Sequence, residues 1–166
     1  KVVGNAKTFA LIRQFYGDDF AARRVEVKEN DTLCLGKHTL HFVFAPMVHW
    51  PEVMMAYEDS EKLLFSADAF GTFGALNGNL FDDEITFDAA WMDDARRYYG
   101  NIVGKYGAPV QAALKKLAGV DVKAICPLHG PVWRSNIPWL LETYDKWSRY
   151  EPEERAVAVL YASMYG

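Results

Sequence analysis

The chain has 166 residues, 51% of them apolar, and a formal net charge of −4 with a pI of about 5.6. That length makes one domain with a real core. The acidic balance leaves no footprint for nucleic acid or an anionic membrane surface, and no apolar run nears the roughly 20 residues that span a bilayer.

Asn5–Tyr16 sets Phe9, Ala10, Ile12 and Phe15 on one face, a short helix closed by Gly17. Arg24–Lys28 alternates as a strand, and Glu29-Asn30-Asp31 reads as a turn. Thr32–Leu35 and Thr39–Phe44 form a hairpin across Gly36-Lys37. Val53–Tyr57 and Leu63–Ala67 form a second, and Gly71–Asn79 a glycine-containing loop over the strand ends. Asp88 is an N-cap candidate for a long helix that Gly107 and Pro109 break, with Pro109 in the first turn of the next helix, Val110–Leu117. Gly119 ends that helix. Val122–Cys126 is a strand, Ile137–Tyr150 an amphipathic helix, Glu151–Arg155 a charged linker, and Ala156–Tyr161 an apolar strand. Paired strands followed by helices alternating with single strands predict an α/β fold: a mixed sheet with flanking helices.

Cys34 and Cys126 are too few for a disulfide framework and lie in apolar runs, which predicts buried reduced thiols in a cytoplasmic protein. A thiolate inside such a run is disfavoured, so Cys126 and His129 are not a nucleophilic pair. The sequence contains neither G-x-S-x-G nor G-x-x-x-x-G-K-[ST]. Asp82/Asp83 and Asp93/Asp94 read as a solvated turn and as helix N-terminal charges. His38 and His41 read as structural. The aromatics are mostly core, although Trp50 and Trp133 lie close enough to candidate ligands to wall a pocket.

Those candidates are His49, Asp68 and His129, each just beyond the end of an apolar run. Imidazole and carboxylate suit iron, zinc and related divalent metals, and a carboxylate can bridge two. Their separations in sequence are large, so only the fold can bring them together. Singly each has a bland reading; three at three strand ends favour a shared site.

The segments APMVHWPEVMMAY, KLLFSADAFG, FDAAWMDDARRYYGNIVGKYG, ICPLHGPVWR and YASMYG resemble the flavodiiron proteins, in which a metallo-β-lactamase-like domain is fused to a flavodoxin domain. The resemblance covers nearly the whole chain. It implies that residues 1–150 are the C-terminal part of a lactamase-like αββα sandwich. Residues 151–166 would be a linker and the first strand of a flavodoxin-like domain, whose phosphate loop, Ser163, Met164, Tyr165 and Gly166, would bind FMN. By position His49 and His129 would each hold one iron of a di-iron centre, with Asp68 bridging both. Members of the family reduce dioxygen to water or nitric oxide to nitrous oxide, with electrons from FMN and a rubredoxin-type donor. Their subunits pair head to tail, so a homo-oligomer is expected. The family's H-x-E-x-D ligand motif does not occur here. With a start at Lys1, this leads us to expect a piece of a longer protein, inactive alone. The alternatives are a non-catalytic half-domain without metal and, more remotely, a lactamase-like zinc hydrolase.

Overall fold

The computed structural model describes residues 1–86, 91–152, 154, 156–157 and 159–164. Asp88 and the start of the long helix fall outside these, as do Tyr165 and Gly166. The chain opens with a short strand, β1 (Val2–Gly4), and helix α1 (Ala6–Tyr16). Asn5 caps α1 by accepting from the Thr8 N–H, and Gly17 closes it at φ 72°. Of the apolar face read from the sequence, Phe9 is buried while Phe15 is exposed. Strand β2 (Arg24–Glu26) pairs in parallel with β1, not with the hairpins that follow it.

The main sheet has five strands in the order β3 (Thr32–Cys34), β4 (Thr39–Phe44), β5 (Met54–Glu58), β6 (Leu63–Ala67) and β7 (Ala124–Pro127). The first four run antiparallel through the two expected hairpins, and β7 joins β6 in parallel. This is the mixed sheet read from the alternation. Strand period two divides its side chains between faces. Met55, Leu64 and Ile125 are buried on one face, whereas Phe65, on the other, is 45% exposed. Cys34, expected to be buried, lies on the edge strand β3 and is exposed. Cys126 is half-buried, and burial pushes its thiol up.

Helices cover the buried face. α2 (Met92–Tyr98) passes into a π-helical turn, Tyr99–Val103, and a 3-10 turn, Gly104–Tyr106. α3 then spans Gly107–Leu117 and α4 Ile137–Ser148. Gly107 therefore opens α3 and does not break a preceding helix. A Cβ there would stand 2.4 Å from the Ser148 carbonyl oxygen, so the missing side chain lets α3 and α4 approach closely. Val103, Val110, Ala113, Leu117, Leu140 and Tyr144 pack with the sheet into one core; full burial of each large apolar side chain contributes about 1.5–3 kcal/mol. Asp82, expected in a solvated turn, is 2% exposed. The 3-10 turn Asp82–Glu84 aims it inward at the backbone before α4.

His38 and His41 stand apart from the strand-end residues, toward the end of the sheet that carries the β3–β4 and β5–β6 turns, where they face Glu58 and Asp59. The Ser60 hydroxyl, the backbone N–H groups of Glu61 and Ser60, and His38 hold Glu58 at about 2, below its ordinary 4.5. A carboxylate depressed on folding contributes stability that is complete above its unfolded pKa and is lost as pH falls toward its folded one. Glu58→Gln is therefore expected to lower stability at pH 7 and to converge on the parent between pH 4.5 and 2. Urea unfolding at three pH values reads this out, and a constant difference across that range would contradict it.

Beyond Ser148 the described residues form neither helix nor strand, and Val157, Val159, Leu160 and Tyr161 are 79–96% exposed. The expected strand at 156–161 is thus not formed among them. A strand needs a neighbouring ladder to satisfy its N–H and C=O groups, and none is paired with it. No helix among the described residues is long and apolar enough to cross a membrane.

Candidate metal centre

The sheet topology brings the three candidates to one edge. β4, β6 and β7 run in the same direction, so the loops that follow them emerge together. His49 lies in the loop 45–53, which the Phe44–Met54 pair and the Ala45 N–H on the Val53 carbonyl close at 3.0 Å. Within it the Met47 N–H reaches the Trp50 carbonyl at 2.8 Å, Val48 is buried, and the Val48–His49 peptide is cis. Asn5 ties α1 to this loop by donating its side-chain amide to the Glu52 carbonyl at 2.8 Å. Asp68 and His129 follow Ala67 and Pro127, which are register partners in the parallel β6–β7 ladder.

The result is a carboxylate between two imidazoles. Asp68 Oδ2 stands 3.3 Å from His49 Nε2, and Asp68 Oδ1 stands 3.2 Å from His129 Nε2. The Asp68 side chain is 11% exposed, His49 24% and His129 54%, so the carboxylate is sunk and the site opens on the His129 side. Each imidazole faces a different oxygen. Among the described residues no three His, Cys, Asp or Glu side chains converge on a single ion.

The surrounding chain fixes this arrangement. The Asp68 turn passes through Ala67 and Phe70 at φ 55° and 65°, a conformation that costs a non-glycine residue about 1 kcal/mol or more. Several hydrogen bonds hold it there. Buried Ser66 donates to the Ala69 carbonyl at 2.8 Å, the Tyr98 phenol to the Asp68 carbonyl at 3.2 Å, and the Trp133 indole N–H to the Phe70 carbonyl at 3.0 Å. The His129 loop lies directly against it, the Thr72 N–H donating to the His129 carbonyl at 3.3 Å. That contact requires glycine at 130: its φ is 83°, and a Cβ would come 2.4 Å from Thr72 Oγ1. Gly71 is similarly confined between the Asp68 and His129 carbonyl oxygens.

Tyr98 was not singled out by the sequence. Its ring lies 5.8 Å from that of His129 and edge-on to Phe73. Burial, with the Asp68 charge nearby, pushes its phenol well above the ordinary range, so it remains a neutral donor. Its position midway along an aromatic helix face carried no local signal. Of the two tryptophans expected near the ligands, Trp50 is 53% exposed with its ring 5.6 Å from His49's, whereas Trp133 is fully buried in the core.

The donor chemistry fits metal. Neutral imidazole nitrogens and a carboxylate with one oxygen toward each suit two first-row divalent ions sharing a bridge. Were two ions held there, the described residues would offer each one histidine and a share of the carboxylate; further ligands would have to come from outside them. Of the expected phosphate loop, Ser163 and Met164 lie beyond the last helix, with Met164 85% exposed, and Tyr165 and Gly166 fall outside the described residues.

Comparison with known proteins places the geometry in context. The family model described as "ODP family beta lactamase" matches residues 1–130. A nitric oxide reductase from Moorella thermoacetica is 35% identical over 142 residues, covering 84% of this chain and 35% of its own length. The flavodiiron protein from Giardia intestinalis superposes with a TM-score of 0.82 at 32% identity, over 89% of this chain and 36% of that one. Rubredoxin oxygen:oxidoreductase from Desulfovibrio gigas gives a TM-score of 0.81 at 31% identity, over 90% and 38%. The chain spans about a third of the length of the curated relatives it matches.

Proposed function

The chain belongs to the ODP family of beta-lactamase domains, and on that premise we propose that it is the lactamase-like part of a flavodiiron protein and contributes half of a di-iron site that reduces nitric oxide or dioxygen. The observation that carries this reading is Asp68 presenting one oxygen to His49 and the other to His129. His49 and His129 would each hold one iron and Asp68 would bridge them; iron bound there would supply two adjacent one-electron centres for a diatomic gas. This chain's own residues orient and enclose. Tyr98 and Trp133 brace the bridging loop from the core side, Phe73 and Tyr98 wall the His129 side, and Trp50 shields His49.

The remaining ligands, the FMN and a rubredoxin-type electron donor belong in this reading to the full-length protein. There residues 151–166 would lead into a flavodoxin-like domain containing the Ser163–Gly166 phosphate loop. Two unpaired thiols, Cys34 and Cys126, are in keeping with a reducing cytoplasm. Head-to-tail pairing of subunits would complete the electron path.

The test is anaerobic loading of the full-length protein with ferrous iron, followed by addition of nitric oxide or dioxygen to the reduced enzyme. About two irons per chain and catalytic consumption of at least one gas are expected. Two zinc ions, with hydrolysis and no gas consumption, would replace this reading with that of a hydrolase.

A further inference from the structure

Helix α1 carries an apolar stripe that the core does not use. Thr8, Leu11, Ile12, Phe15 and Tyr16 follow one another at helical spacing and form one wall of a groove of about 240 Å³. Trp50 and Glu52, from the loop 45–53, form the other wall. Phe15 is 72% exposed, Tyr16 78% and Trp50 53%, so three aromatic side chains stand open around the groove.

One polar group of this groove is unsatisfied. Glu52 Oε2 is buried and has no hydrogen-bond partner among the described residues. The neighbouring polar side chains are engaged elsewhere. The Thr8 hydroxyl donates to Asn5 Oδ1 at 3.3 Å, and the Asn5 amide donates to the Glu52 backbone carbonyl at 2.8 Å. Among the described residues no lysine or arginine lines the groove. A carboxylate oxygen withdrawn from water without a donor is costly, and a cation that donates to it removes that cost.

The surroundings specify which cation. A hard metal ion needs several oxygen ligands, and Glu52 is the one carboxylate lining the groove among the described residues. Aromatic faces attract an ammonium group through their quadrupole, and Leu11 and Ile12 offer an apolar bed for a short alkyl chain. The volume lies below the roughly 300–1,000 Å³ of pockets for drug-sized ligands, which limits the occupant to a few carbon atoms.

We propose that the groove between α1 and the loop 45–53 is a binding site for a small primary alkylammonium ion. Its N–H groups donate to Glu52 Oε2, its charge lies against the aromatic wall of Phe15, Tyr16 and Trp50, and its carbon chain covers Leu11 and Ile12. The site is separate from the Asp68 centre and does not depend on the di-iron reading.

The experiment is a calorimetric titration of the full-length protein with n-butylammonium, and with 1-butanol as an uncharged comparator of the same length. Butylammonium is expected to saturate about one site per chain and to bind about 10-fold more tightly than butanol. Glu52→Gln keeps the shape and removes the charge, so it should bring the two ligands to similar affinity. Phe15→Ala changes an exposed position, leaves the fold intact and should weaken butylammonium about 3-fold. Equal affinities for the two ligands in the parent, or butylammonium binding unchanged by either variant, would overturn the proposal. A parent protein that takes up no butylammonium would overturn it as well, and would mean that another part of the full-length chain fills the groove.

Discussion

Asp68→Ala in the full-length protein is expected to remove both metal ions, taking bound iron from about two per chain to near zero, whereas His49→Ala should leave about one. The asymmetry follows from the geometry. Asp68 faces both imidazoles, one with each oxygen, so in the proposed site its loss would remove a ligand from two positions, while His49 would serve only one. Asp68→Asn sharpens the comparison. The amide keeps the shape but offers a single oxygen and no charge, so one ion should weaken far more than the other. Metal analysis after gel filtration, with circular dichroism to confirm folding, reads all three variants. Equal losses from Asp68→Ala and His49→Ala would exclude a bridge.

The second large effect is on stability. Asp82 is buried and its carboxylate accepts from the backbone N–H groups of Arg134, Asn136 and Ser135 at 2.8, 3.0 and 3.3 Å, and from the Ser135 hydroxyl at 2.6 Å. It serves as the cap that the start of α4 lacks, because Asn136 makes no side-chain cap bond. Asp82→Ala would leave these part-buried donors without their acceptor and remove the cap, a cost of about 2 kcal/mol and a drop in Tm of about 4–8 °C for a chain of this size. Asp83→Ala is the control. Its carboxylate is 41% exposed and pairs with Arg134 at the surface, an interaction contributing about 1 kcal/mol at most. Burial raises the Asp82 carboxyl, but the Ser135 hydroxyl and the backbone N–H groups outweigh it and hold the group below the ordinary range. The penalty of Asp82→Ala should therefore be full at neutral pH and shrink as acid protonates the parent's carboxylate. A variant that melts with the parent at pH 7 would show that the loop holds without it.

Both effects centre on residues whose importance depends on what surrounds them, and this governs what could be read in advance. Where the code is local, the sequence was sufficient. Strand-like runs on either side of Gly36-Lys37 and of Glu58–Glu61 predict the two hairpins, and their pairings run Thr32↔His41 and Ala56↔Phe65. Asn5 and Gly17 bracket α1 because an amide side chain and a left-handed glycine satisfy the end groups of any helix. His49, Asp68 and His129 were identifiable as candidates because each follows an apolar run, and the motifs around them pointed to the family now shown by the match over residues 1–130.

Non-local contacts decided the rest. β1 is too short for a pattern of its own, and β2, legible in the alternation of Arg24–Lys28, finds its partner in β1 only across the intervening helix. The long helix gives way to a π-helical turn at Tyr99–Val103 and restarts at Gly107, where close approach of α4 demands a missing side chain. Asp82 and Asp83 are neighbours with identical local preferences; three backbone N–H groups contributed from 134–136 bury one and not the other. The same holds at the metal centre. Residue types and strand ends named the candidate ligands, but the common direction of β4, β6 and β7 brings them together, and the Ala67–Pro127 register sets Asp68 beside His129. Sequence determined which groups could bind metal; tertiary structure determined which oxygen meets which imidazole, because that distance is set between strands and not along one.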